Sequence, residues 1–100
     1  MVAANQVRNP ETELVEATLR REYPRTDVYR YNCASIRVRI VDERFQGLSL
    51  VDRHEHVLPL IHSLPEETQL DITVLLLLAP DELQRSLLNF EFEAPTPSEF

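Results

Sequence analysis

The stretch Val41-Asp42-Glu43-Arg44-Phe45-Gln46-Gly47-Leu48-Ser49-Leu50-Val51-Asp52-Arg53-His54 changes its hydrophobic period in the middle, and that change decides the fold. Before it, Ile36, Val38 and Ile40 alternate with Arg37 and Arg39, the pattern of a strand with one core face and one wet face. After it, Val51, His54, Leu58 and Ile61 recur at helical spacing. Between the two stands Gly47, the only glycine in the chain, where a positive φ and a tight strand-to-helix turn are expected.

Toward the N-terminus, Asp27 to Tyr31 reads as a second strand. The short connection Asn32-Cys33-Ala34 joins it to Ser35–Val41 as an antiparallel hairpin. Asn9, Pro10 and the acids Glu11 and Glu13 predict a capped helix from Pro10 to about Glu22, with Leu14, Val15, Thr18, Leu19 and Tyr23 as its apolar stripe. Pro24 stops it.

Toward the C-terminus, Pro59 predicts a kink or break in the central helix. Leu64-Pro65-Glu66-Glu67 predicts a fresh helical turn or a tight loop, and Leu70 to Leu78 a third strand. A strand, helical crossover and strand in one sheet predict a parallel, right-handed pairing. Leu70, Ile72, Val74, Leu76 and Leu78 are expected on one face of that strand, with Leu75 and Leu77 on the open side, where a partner or second copy could cover them. Ala79-Pro80-Asp81-Glu82 opens a short final helix to about Leu88. The expected organisation is a flexible arm at 1–9, one domain at 10–88, and an acidic tail at 89–100 that is loose or adds an edge strand.

Composition agrees with one small domain. The chain has 100 residues, of which 43% are hydrophobic and 27% charged. Disordered, collagenous and disulfide-rich classes are thereby excluded. Net charge is −7, yet residues 1–53 carry nine Arg against eight acids and residues 54–100 one Arg against nine acids. Only the first half could face a polyanion. One cysteine, Cys33, permits no internal disulfide, and no charged segment followed by an apolar one opens the chain, so a reducing, cytoplasmic location is expected. The longest apolar run, Val74 to Ala79, is six residues, against the roughly 20 that span a bilayer.

Phe45-x-Gly47, then Val51-x-Arg53-His54, following an apolar strand, resembles the signature of the BolA family. Ala79-Pro80-Asp81-Glu82-Leu83 is similar to that family's C-terminal Thr-Pro-x-Glu-Trp, and the resemblance spans roughly Glu11 to Leu88. It implies an α+β, KH-like type II fold in the order α-β-β-α-(α)-β-α, with a three-stranded mixed sheet covered by helices on one face. It also implies a non-catalytic protein that partners a monothiol glutaredoxin in iron-sulfur and redox homeostasis and stress response, with no intrinsic cofactor but a [2Fe-2S] cluster held between the two proteins. In the family the hairpin loop supplies a Cys or His and the start of the third strand a His. Cys33 stands in that loop, whereas the strand position falls on Asp71 counting from Pro80, or on Leu70 counting from His54. Neither is a soft ligand.

The residues themselves suggest architecture first. Phe45 should plug the core, Gly47 allow the turn, and Arg53 and His54 bond to backbone carbonyls across the helix base, a role favoured for His54 over metal ligation. His54 and His56 lie about 200° apart on a helix and cannot chelate one ion. Arg30, Arg37 and Arg39 beside Tyr29 and Tyr31 resemble a nucleic-acid platform, and a KH-like transcription regulator is the alternative function. The absence of a Gly-x-x-Gly clamp and the charge of −7 weigh against it. A third alternative is an interaction module that has lost its metal ligand and forms a homodimer through Leu75 and Leu77. No activated nucleophile, carboxylate dyad or phosphate loop suggests an enzyme.

Overall fold

The computed structural model describes residues 9–95; most of the expected arm, 1–8, and the end of the acidic tail, 96–100, lie outside them. Helix α1 (Pro10–Arg20) starts where its cap predicts. Asn9 Oδ1 accepts from the Thr12 N–H at 3.0 Å and Thr12 Oγ1 accepts from the Asn9 N–H at 2.8 Å, so two open donors of the first turn are satisfied reciprocally. Val15, Thr18, Leu19 and the following Tyr23 are buried, while Leu14 stays half-exposed.

Strands β1 (Thr26–Asn32) and β2 (Ser35–Val41) form the predicted antiparallel hairpin, and β3 (Ile72–Leu78) pairs parallel with β2, giving the order β1-β2-β3. Between β2 and β3 run a 3-10 turn at Glu43–Phe45, helix α2 (Leu50–His62) and helix α3 (Glu66–Asp71). A second 3-10 turn, Pro80–Glu82, leads to helix α4 (Leu87–Glu93). The element order and the mixed sheet of the α+β, BolA-like expectation are therefore present.

Four local expectations are corrected. Leu70 and Asp71 belong to α3, so β3 begins at Ile72. Within β3 an extra residue, Thr73, separates Ile72, opposite Ile36, from Val74, opposite Arg37. This irregularity inverts the side-chain parity that a period-two reading assumes. Leu75 and Leu77 consequently stand beside Val38 and Ile40 over the core, and Val74 and Leu76 beside Arg37 and Arg39. Leu77 is 1% exposed and Leu75 packs against the core cluster, so neither is an open partner surface.

The second correction concerns α2, which runs unbroken through Pro59. Pro59 and Glu55, whose carbonyl loses its donor, are both exposed, and water can take that carbonyl. Its buried stripe is Arg53, Val57 and Ile61, not Val51, His54 and Leu58. Hydropathy assigns an arginine to solvent, but here Arg53 is turned inward by an ion pair.

Third, the final helix does not start at Ala79: residues 79–86 hold only the 3-10 turn, and α4 crosses the expected 88/89 boundary. Ser86 caps α4, accepting from the Asn89 N–H at 3.1 Å. Fourth, the helices do not share one face. Val15, Leu19, Val57 and Ile61 of α1 and α2 meet Val28, Ile36, Val38, Ile40 and Leu77 in the main core. Side chains of α4 meet Tyr29, Arg37 and Arg39 on the opposite face. Among the described residues no helix is long and apolar enough to cross a membrane.

Candidate functional site

The four residues of the central motif do not gather into one cluster; three build a corner and the fourth lies outside it. Phe45 is 1% exposed and stacks on Tyr23 with ring centroids 5.5 Å apart. Gly47 turns the chain at φ +77°, a left-handed conformation that costs a glycine nothing. Arg53 enters the corner from α2 and joins three segments. It donates to the Leu48 carbonyl at 3.0 Å, to the Leu77 carbonyl at 3.0 Å, and to both carboxylate oxygens of Glu82 at 2.6 and 2.9 Å. Glu82 also accepts from the Ala79 N–H at 2.9 Å. The Arg53 guanidinium holds the Glu82 carboxyl well below its ordinary range, at about 2. Sequence reasoning read Glu82 only as part of a helix start and missed this pair. His54 bonds through Nδ1 to the Leu50 carbonyl of its own helix at 2.8 Å, a backbone-carbonyl role as expected but on the outer side.

At the opposite end of the sheet the hairpin turn carries Cys33, exposed and free. Asn32 Oδ1 accepts from the Ala34 N–H at 2.9 Å and shapes the turn. Arg30 lies beneath it. Its pairing with Ile36 puts it on the face covered by α1 and α2, so it does not join Arg37 and Arg39 in one platform. Its guanidinium donates to the Cys33 carbonyl at 3.2 Å, to Glu11 at 3.1 Å and to Asp71 at 3.0 Å. Turn, α1 start and α3 end are thus tied together by one side chain that is 11% exposed.

Arg37 and Arg39 do share a face, and it is covered. Arg37 pairs with Glu91 at 3.2 Å, donates to the Tyr29 hydroxyl at 3.0 Å, and lies 3.5 Å over the Tyr31 ring. Arg39 pairs with Asp27 at 2.6 Å and Glu93 at 3.0 Å and donates to Asn89 at 2.7 Å. Both guanidinium side chains are at most 15% exposed. The platform of Arg30, Arg37 and Arg39 is therefore not an open cationic surface. The missed partners, Asn89, Glu91, Phe92 and Glu93, lay in the stretch read as a tail.

The donor set can be tested against the cluster that the resemblance implies. An exposed thiol at a turn fits a soft metal. Asp71 does not: a carboxylate is a hard ligand, and this one is already engaged by Arg30. His54, His56 and His62 all lie on α2, and no group of three or more His, Cys, Asp or Glu gathers as a metal site among the described residues. The residues present do not fit a cluster shared through two ligands of this chain.

No protein-family model matches the chain, and no curated protein does. Among solved structures it is similar to BolA1 from Arabidopsis thaliana, with a TM-score of 0.52, 22% sequence identity, and coverage of 76% of this chain and 98% of that chain. With strand order, crossover and the Phe45–Gly47–Arg53 corner already in place, that likeness shows that the chain has a BolA-like fold.

Proposed function

We propose that this chain is a non-catalytic adapter that binds another protein through the Cys33 hairpin turn and the helix ends around it, with a monothiol glutaredoxin as the partner. The observation that carries this reading is the Arg30 tie. A two-residue turn tip would ordinarily be among the most mobile parts of a small domain. Here its backbone is bonded to a guanidinium held by Glu11 and Asp71, so an exposed thiol is presented on a fixed platform. Pre-organisation of this kind lowers the ordering cost of association. The partner assignment draws on the BolA-like fold and on the position of Cys33 in its hairpin. Because Asp71 is spent on Arg30, the adapter works by protein contact and not by sharing a cluster.

Titration of purified apo monothiol glutaredoxin into this chain tests the reading. A 1:1 complex is expected, weakened by Arg30→Ala, which loosens the platform, and by Cys33→Trp, which fills the tip. Cys33→Ser should leave folding unchanged, since the side chain is exposed. Absence of a complex at about 100 μM, a weak affinity on the scale of specific interactions, sinks the partner assignment.

A further inference from the structure

We propose that the sheet face carrying Tyr29, Tyr31, Arg37 and Arg39 is a docking surface for an acidic peptide segment of a partner protein, and that α4 occupies it in cis as a releasable strap. This inference does not rest on the hairpin-turn reading, because it concerns the other face of the sheet.

The chemistry of the surface is legible in its present occupant. Helix α4 binds through carboxylates and an amide: Glu91 on Arg37, Glu93 and Asn89 on Arg39. Its one large buried apolar contribution is Phe92, edge-on to Tyr29 with centroids 5.5 Å apart. The remaining large apolar side chains point away, with Leu87 83%, Phe90 51% and Leu88 42% exposed. A helix of seven residues is too short to persist alone, so α4 is helical only while docked. The docking itself is mostly charge, with the Phe92 ring edge-on to Tyr29 and under the Arg39 guanidinium, a combination that a competitor of the same chemistry can exchange.

The fit is also incomplete. Arg37 Nε is buried and has no hydrogen-bond partner among the described residues, although the guanidinium stacks on Tyr31 and is aimed by Tyr29. Burying a donor without a partner is costly. A carboxylate approaching the Nε–Nη edge would satisfy that donor and add a second parallel bond, which Glu91, meeting Nη1, does not supply. The surface is therefore built for an acidic ligand better seated than α4. A nucleic acid fits less well: its affinity grows with the number of phosphates neutralised, and this face offers two arginines on a chain of net charge −7.

The test uses the full chain and a fluorescein-labelled peptide of residues 84–95. Glu91→Gln combined with Glu93→Gln weakens the strap, and the double variant should bind the peptide roughly tenfold more tightly than the wild type, since it removes an intramolecular competitor whose effective concentration is in the millimolar range. Adding Arg37→Gln and Arg39→Gln should abolish the gain, as should replacing both glutamates of the peptide by glutamine. If the double variant does not fold, Phe92→Ala releases the strap through its ring contact and should give the same increase. Equal binding by wild type and strap variants, no binding by either, or tighter binding of a single-stranded oligonucleotide than of the peptide overturns the proposal. A wild-type chain that proves to be a dimer exchanging α4 between copies overturns it as well.

Discussion

Arg53 and Glu82 meet through two parallel hydrogen bonds of 2.6 and 2.9 Å, and this pair is the clasp between α2, the end of β3 and the turn that follows. The arginine is buried and also satisfies the Leu48 and Leu77 carbonyls. Arg53→Met keeps the apolar stem but leaves a carboxylate and two carbonyls without their donor. Removing one partner of a buried pair costs about 3 kcal/mol or more, so the variant should lose about 3 kcal/mol in urea denaturation. For a chain of this size that is a fall in Tm of roughly 12–24 °C. A loss under about 1 kcal/mol, typical of a solvated pair, would show that the clasp is ornamental.

The same pair sets an acid limit. Glu82 has its carboxyl lowered from 4.5 to about 2 by the Arg53 guanidinium, so the folded state favours the charged form more than the unfolded state does. Its stabilisation is fully present above pH 4.5 and is lost as pH falls through about 2. Asp42, lowered by its hydrogen bond to Arg44, acts in the same direction. Denaturant midpoints measured from pH 6 down to about 2 should therefore fall with acid. Glu82→Gln should be less stable at neutral pH and show a shallower fall; an unchanged slope removes Glu82 from the account.

Element order was legible in the sequence because each boundary carries its own local chemistry: Asn9 with Thr12, Gly47, and the alternation of Ile36, Val38 and Ile40. What was not legible depends on partners distant in sequence. The burial of Arg53 follows from Glu82, and the division of Arg30 from Arg37 and Arg39 follows from strand parity. α4 was hidden because Phe90 and Phe92 alternate with Glu91 and Glu93 like an edge strand, and only the arginines on the neighbouring face favour the helix. The candidate site was half visible: Cys33 stood out as a lone thiol in a turn, but nothing local marked Arg30 as its support.

Gly47 offers a test of pure backbone conformation. A Cβ placed there would meet nothing within 4 Å, so space is not what selects glycine. Its φ of +77° is. Gly47→Ala should cost roughly 1–2 kcal/mol, the left-handed penalty of an L-residue, whereas Gly47→Asn should cost less because its short polar side chain tolerates that region. Chemical denaturation of the two variants separates the cases: equal losses would mean that the turn has rearranged.

The placement of Thr73 as an extra residue makes the last prediction, since it decides which leucines of β3 face the main core. With Leu77 opposite Ile40, Leu77→Ala empties a site that is 1% exposed and should cost about 3 kcal/mol. Leu76 stands opposite Arg39 and is only partly buried, so Leu76→Ala should cost about 1 kcal/mol, mostly lost transfer energy without a cavity. A strand of unbroken alternation from Leu70 would predict the reverse ranking. Deleting Thr73 joins Ile72, opposite Ile36, directly to Val74, opposite Arg37, so the alternation becomes regular with Ile72, Leu75 and Leu77 still on the core face. The deletion variant should therefore fold and keep Leu77→Ala costlier than Leu76→Ala; a reversed ranking of urea midpoints in that background would show that the leucines do not follow this register.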